Sequence, residues 1–331
     1  MSSYPSQTTL ANRLLQFGPV RRFDSWIHAL PHPPVVVEIA GPHVAVARWV
    51  GKSSHLEDVA VEVLPAGAVM PSTLETNIVQ PEAVRSALRQ VFRRVPVNGA
   101  QIALLVPDLV IRVFILPFDS LPRRASDALP LLRWRLKKSV PFDVEETVFS
   151  WMRQDAREGG LEVVTAVGRQ PIVREYENLI ESLGARAGVV LSSTLATLPL
   201  LEERGSTLLV RLCGKTLTTV IVRGANLCLY RSTELRTESE ALETQAVLDE
   251  VFPAVAYYQD SWGESLDRAR LSGFGGVESV FGEALAQEIR IPVGSMSDAV
   301  GAESLDTSAK DLIPHGLDAL FGWMMNSKSS H

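Results

Sequence analysis

At 331 residues, with 46% hydrophobic and 21% charged side chains, the chain can bury a sizeable core and divide into two or more domains. Its net charge of −6 lacks the basic excess that nucleic-acid binding requires, which excludes nucleic acid as a partner class. No apolar run approaches the ~18 residues of a membrane span, and the N-terminus has no apolar segment with a small-residue cleavage site, so the expectation is a cytoplasmic protein.

Residues 1–33 read as an N-terminal extension in which Leu10, Leu14, Leu15 and Phe17 sit near helical spacing ahead of Arg21 and Arg22. Such a segment suits either an anionic surface or a cover over the protein's own core. Pro31, Pro33 and Pro34 punctuate its end. Strands are expected at Val35–Ile39 and Val44–Val50, joined by the turn Ala40-Gly41-Pro42-His43. Pro81–Arg94 has the period of an amphipathic helix, with Val84, Leu88, Val91 and Phe92 on one face. Gln101–Val106 and Val110–Leu116 read as strands around Pro107-Asp108-Leu109.

A helix, a strand near Thr147–Gln154, a second at Glu162–Gly168 and a helix over Ile172–Leu183 come next. Three strands then run in succession (Thr207–Cys213, Leu217–Val222, Asn226–Tyr230), with Arg223-Gly224-Ala225 as a tight turn. They are followed by a long helix near Leu242–Trp262, a strand at Arg270–Ser272, a glycine cluster, and helices at Glu278–Ile289 and Leu317–Met325. Each half of the chain opens on a strand-turn-strand unit.

The stretch 121–149, LPRRASDALPLLRWRLKKSVPFDVEETVF, is the most distinctive. Leu129, Leu132 and Leu136 recur at helical period, with Arg133, Arg135, Lys137 and Lys138 on other faces. The run halts at Val140-Pro141-Phe142, ahead of Glu145-Glu146. This layout resembles the insert subdomain of PilM-type proteins, actin-like proteins of type IV pilus assembly that are related to the cytoplasmic part of GspL-type secretion proteins. The resemblance implies an α/β, actin-like (ribonuclease H-like) fold of two lobes with a small α/β insert in the first. The expected division is an extension at 1–33, a first lobe at 34–116 and an insert at 117–191. The chain would return to the first lobe at 192–205, form the second lobe at 206–325 and end in a disordered tail at 326–331.

The resemblance also directs attention to the turns where actin-like proteins hold a nucleotide. The family's first strand ends in Asp-Ile-Gly with a Lys further on; the carboxylate organises magnesium and the small residues open backbone N–H groups to phosphate. Here Glu38 stands at the Asp, Ala40 at the Gly and Ala45 at the Lys. Gly41 lies in the same turn, where Pro42 removes a donor; Glu38 keeps the acidic charge only, and the rest of the turn has lost its donors. In the second lobe Arg211 stands at the Asp, in Arg211-Leu212-Cys213-Gly214-Lys215-Thr216, and puts a fixed cation where a metal-organising carboxylate is needed. A phosphate held directly by Arg211 and Lys215 remains an alternative. Leu271-Ser272-Gly273-Phe274-Gly275-Gly276 resembles the family's adenosine-side glycine turn.

The expectation is therefore a pseudo-ATPase with Glu38, Gly41, Gly273, Gly275 and Gly276 as the remains of a nucleotide cleft, disrupted by Ala40, Ala45 and Arg211. No cofactor is expected; ATP and magnesium are possible but not favoured. The implied function is a scaffold at the inner face of the cytoplasmic membrane, in a type IV pilus or type II secretion-like platform. It would bind the cytoplasmic tail of a PilN-type bitopic protein in a groove between first lobe and insert, with pilus motor ATPases and self-association as further contacts. The alternatives are a switch holding ATP as a structural ligand and a polymerising cell-division-type actin homologue.

Arg133, Lys137 and Lys138 on the insert helix are candidate contacts to an acidic partner or lipid. The six histidines show no metal spacing with Cys, Asp or Glu, and the adjacent pairs Glu145-Glu146 and Glu202-Glu203 point to different faces rather than to one bond. Cys213 and Cys228 fall in strand runs and read as buried thiols.

Overall fold

The run Val35-Val-Val-Glu-Ile39 is buried along its whole length and forms β1, as expected of a strand covered on both faces. In the computed structural model, which describes residues 32–49, 56–97, 99–156, 160–202, 204–235, 243–299 and 316–328, β1 is the middle of a five-stranded sheet. On one side β2 (His43–Trp49) and β3 (Leu56–Val63) continue it as an antiparallel meander. On the other, β4 (Gln101–Val106) and β8 (Arg186–Ser192) run parallel to it, giving the order β3-β2-β1-β4-β8. Helix α1 (Pro81–Arg94) begins on a proline, whose missing N–H costs nothing there. It buries Val84, Ala87, Leu88 and Val91 in the first-lobe core.

The second half repeats this topology. The strands β9 (Ser206–Cys213), β10 (Thr216–Arg223) and β11 (Asn226–Glu234) form a meander, and β12 (Arg268–Ser272) and β13 (Val293–Ser295) run parallel to β9 in the order β11-β10-β9-β12-β13. Helices α5 (Thr244–Trp262) and α6 (Glu278–Ile289) close a separate core with Val247, Val251, Tyr258, Phe281 and Leu285.

A third, antiparallel sheet of order β5-β7-β6 joins β5 (Ile111–Phe118), β6 (Thr147–Asp155) and β7 (Leu161–Arg169). The helix α2 (Ala125–Leu136) covers it with Ala128, Leu132 and Leu136. This sheet begins at Ile111, six residues ahead of the expected insert boundary at 117. Within the expected insert, α3 (Gln170–Glu181) buries Ile172, Val173, Tyr176 and Ile180 in the first-lobe core, and β8 pairs with β4.

Two further expectations change at the C-terminus. The last helix, α8 (Asp318–Lys328), does not belong to the second lobe. Leu317, Leu320, Phe321, Trp323 and Met324 pack into the first-lobe core, against β1 and the short helix α4 (Ser193–Thr197). A Cβ at Gly322 would collide with the Ala196 carbonyl oxygen, so only glycine permits this crossing. Residues 326–328, expected in the tail, continue α8. The extension lies outside the described residues except for His32, whose ring lies 5.3 Å from that of Trp323, and Pro33. A short helix α7 (Met296–Ala299) follows β13. None of the described helices is long and apolar enough to cross a membrane.

Candidate functional site

The twofold repeat brings the ends of β1 and β9 face to face, and with them Glu38 and Arg211. Both are fully enclosed, at 0% and 1% exposed. Arg211 leaves the second lobe and enters a nest of first-lobe carboxylates. Its Nε donates to both oxygens of Asp318, at 3.1 and 3.2 Å. Its Nη2 donates to the Gly316 carbonyl at 3.1 Å and to Glu38 Oε1 at 3.5 Å, and Nη1 lies 3.9 Å from Asp108 Oδ2. Glu38 also lies 3.5 Å from His43 Nε2, across the first hairpin.

Each carboxylate is held in place by its own element. Asp318 opens α8, where the helix dipole favours an anion. Asp108 opens the turn after β4 and accepts from the Thr194 N–H (2.9 Å), the Thr194 hydroxyl (2.5 Å), Thr218 (2.8 Å) and the Tyr230 hydroxyl (3.2 Å). Thr194 belongs to the first lobe, whereas Thr218 and Tyr230 belong to the second. The ion cluster is therefore also a hydrogen-bonded seam between lobes.

The electrostatics follow from this enclosure. Burial works against the charge on Arg211, but Asp318 first, then Glu38, hold its guanidinium well above its ordinary value. Burial likewise works against the charge on Glu38, but the neighbouring His43 imidazole first, then the charge of Arg211, hold its carboxyl below the usual range. Burial and the charge of Asp108 push the Tyr230 phenol well up. Cys228 is buried but Cys213 only half-buried, against the expectation of two buried thiols; both are free, and desolvation pushes each up to about 12, which disfavours the thiolate at neutral pH.

This arrangement does not fit magnesium and a nucleotide. A hard divalent ion needs near-octahedral oxygen ligands at about 2.0–2.1 Å, and the space among the three carboxylates is taken by a guanidinium. The cavity left between Gly41, Pro107, Asp108, Arg211 and Thr216 is about 10 Å³, roughly room for one water. The two phosphate-side turns meet across it: a Cβ on Gly214 (φ +59°) would lie 3.6 Å from the Pro42 ring. Ala45 pairs with Glu38 across β1 and β2, and it and Ala40 are fully buried. The alternative in which Arg211 and Lys215 capture a phosphate is not supported either, since Arg211 is committed to carboxylates and Lys215 faces solvent.

The glycine turn divides by role. Gly273 follows the Ser272–Arg211 register pair of β12 and β9. It has φ +80°, and a Cβ there would collide with the Leu212 carbonyl oxygen, so its need for glycine is met within the fold. Gly275 (φ +54°) and Gly276 have nothing within 4 Å of a Cβ position.

Of the residues expected at the cleft, Glu38 and Arg211 are thus joined directly, and Gly41 lines the residual cavity. Arg133 lies on α2 and is bonded to Glu145 at 2.9 Å, whereas Lys137 and Lys138 stand in the turn that caps its C-terminal end. Asp108, Asp318 and His43 belong to the cluster without having been singled out by sequence. Asp108 stood in a Pro-Asp-Leu turn and Asp318 at the head of an apolar run, and no local spacing ties either to Arg211.

Two five-stranded sheets of one order, opposed across a cleft, with a small sheet inserted after the fourth strand of the first, define an actin-like two-lobed protein. Among solved structures, the chain superposes on one from the PilM-PilN type IV pilus biogenesis complex with a TM-score of 0.72 and 15% identity. That match covers 89% of this chain and 99% of the other. The PilM-type likeness read from residues 121–149 is therefore a likeness of fold across most of the chain. Weaker similarities include the cytoplasmic domain of EpsL, an inner-membrane component of the Vibrio cholerae type II secretion system (TM-score 0.46, 14% identity, 72% of this chain and 80% of that one). Another is MreB 5 of Spiroplasma citri bound to AMPPNP (TM-score 0.41, 9% identity, 90% and 96%). No protein-family model and no curated protein matches the sequence.

Proposed function

We propose that this protein is a scaffold in a type IV pilus or type II secretion-like inner-membrane platform, and that it works without nucleotide chemistry. The observation that carries this reading is Arg211, a second-lobe cation seated among three first-lobe carboxylates where an actin-like ATPase would need metal and phosphate. An ion cluster that ties the lobes together makes a rigid body for binding other proteins. The fold it shares with a chain of the PilM-PilN complex supports the choice of system.

On this reading the partner is the cytoplasmic tail of a PilN-type bitopic membrane protein, taken as an extended peptide through backbone hydrogen bonds and a few apolar pockets. The protein works at the inner face of the cytoplasmic membrane, with the motor ATPases and other copies of itself as further contacts. The test is a fluorescence-anisotropy titration of that labelled tail with the full chain, with and without ATP and magnesium. The expected result is saturable binding that nucleotide does not change. Absence of binding would overturn the partner, and binding that requires ATP would favour the nucleotide-switch reading.

A further inference from the structure

The outer face of α2 is apolar at its centre and basic at its edges. Leu131 and Trp134 are 43% and 59% exposed and lie one turn apart, on the same side of the helix. One turn further, the Lys138 ammonium sits 5.1 Å from the centre of the Trp134 ring. The helix satisfies its own sheet with Ala128, Leu132 and Leu136 on the opposite side, so Leu131 and Trp134 are surplus to the fold.

The charge on this segment opposes that of the chain. Residues 123–138 hold six cations and one anion, Asp127, in a chain of net charge −6. Arg133 is drawn to the flank by Glu145. Arg135, Lys137 and Lys138 are exposed and make no ion pair among the described residues.

We infer that this face docks on a membrane surface bearing anionic lipid headgroups. An indole beside a leucine suits the boundary between acyl chains and headgroups, with its N–H left to meet a polar partner. Lysine stems lie along the apolar surface and carry their ammonium groups outward to phosphate. Apolar residues at the centre with cations around them is the order of depth that an interfacial helix face needs. An acidic protein with an apolar pocket would also take the cations and the indole, and the experiment separates it from lipid. Nucleic acid would take the cations but offers no apolar layer for Leu131 beside the indole. This contact is independent of the tail-binding reading, because it needs no protein partner.

The experiment is co-sedimentation of the full chain with vesicles of phosphatidylglycerol and phosphatidylcholine, against phosphatidylcholine alone, without any partner protein. Binding is expected only to the anionic vesicles. Lys137→Glu with Lys138→Glu should weaken it by about 30-fold or more, and Trp134→Ala by roughly tenfold. Brominated lipid should quench tryptophan emission in the wild type and lose that quenching in Trp134→Ala. All three positions are exposed, so the variants should melt with the wild type, which excludes misfolding as the cause. No binding to anionic vesicles, or equal binding by the double variant, would overturn the inference. Should the double variant instead lose an acidic protein while vesicles never bind, the face belongs to that protein and the lipid assignment falls.

Discussion

Replacing Arg211 by alanine removes the guanidinium from among Glu38, Asp108 and Asp318. Five contacts to four residues go together: both oxygens of Asp318, the Gly316 carbonyl, Glu38, and the longer approach to Asp108. Removing one partner of a buried ion pair costs about 3–5 kcal/mol, because the other charge is left uncompensated. With three carboxylates left facing one another, the upper end applies. At roughly 2 °C per kcal/mol for a chain of this size, the melting temperature should fall by about 10 °C.

The loss should depend on pH with a definite sign. In the wild type, Glu38 is pushed up by burial but held lower overall by His43 and Arg211, so its folded value lies below its unfolded one. Its contribution is present above the ordinary carboxylate value of about 4.3 and is lost as pH falls through the folded value. Without Arg211, one of the causes holding Glu38 low is gone while burial remains, so Glu38 takes up its proton at a higher pH than in the wild type and the variant loses less on acidification. The gap between wild type and variant should therefore be widest near neutral pH and narrow towards about pH 4. Thermal melts followed by circular dichroism measure both quantities. A variant melting within about 2 °C of the wild type at neutral pH, or a gap unchanged by acid, would show that Arg211 does not stabilise the fold through these carboxylates.

The glycine turn offers a contrast. Gly273→Ala should cost about 3 kcal/mol or more, from strain at positive φ and collision with Leu212, whereas Gly276→Ala should stay within about 0.5 kcal/mol; urea unfolding of both distinguishes a structural glycine from a ligand-contacting one. Gly322→Ala should lose about 3 kcal/mol in the same assay, because the added methyl meets backbone of α4. Asn77 is fully buried, donates to the Ser72 and Glu75 carbonyls, and accepts from the Ser72 N–H and the Tyr176 hydroxyl. Asn77→Ala should cost about 2–3 kcal/mol and open residues 71–79 to limited proteolysis.

Local pattern made much of the fold legible. Pro81–Arg94 and Glu278–Ile289 match the expected helices end to end, because a proline start in the first and the limits of the apolar period in both mark their bounds. The strands β1, β4, β9 and β10 were legible as apolar runs bounded by turns. β3 was missed, since its acidic residues disguise an edge strand that places Ala60 in the core and leaves Val63 exposed. β8 was missed because Arg186-Ala-Gly-Val-Val-Leu-Ser follows α3 closely and becomes a strand only by pairing with β4.

The candidate site divides the same way. The inverted charge at Arg211 could be read against the family pattern, and so could the loss of donors at Ala40, Pro42 and Ala45. What the arginine does instead could not, because its partners lie 173, 105 and 107 residues away at Glu38, Gly316 and Asp318. Asp318 reaches the cleft only because the last helix crosses back to the first lobe, and that depends on packing at Gly322 and Trp323 rather than on any local spacing.

The most direct test of the closed cleft is a calorimetric titration of the purified full chain with ATP, with and without magnesium, paired with a thermal melt. A ligand at 100 times its Kd would add about 2.7 kcal/mol of stability, which a melt resolves readily. No heat of binding and no shift in melting temperature are expected under either condition. Saturable binding that tightens with magnesium would contradict that expectation, since a divalent ion would then share the cleft that Arg211 fills.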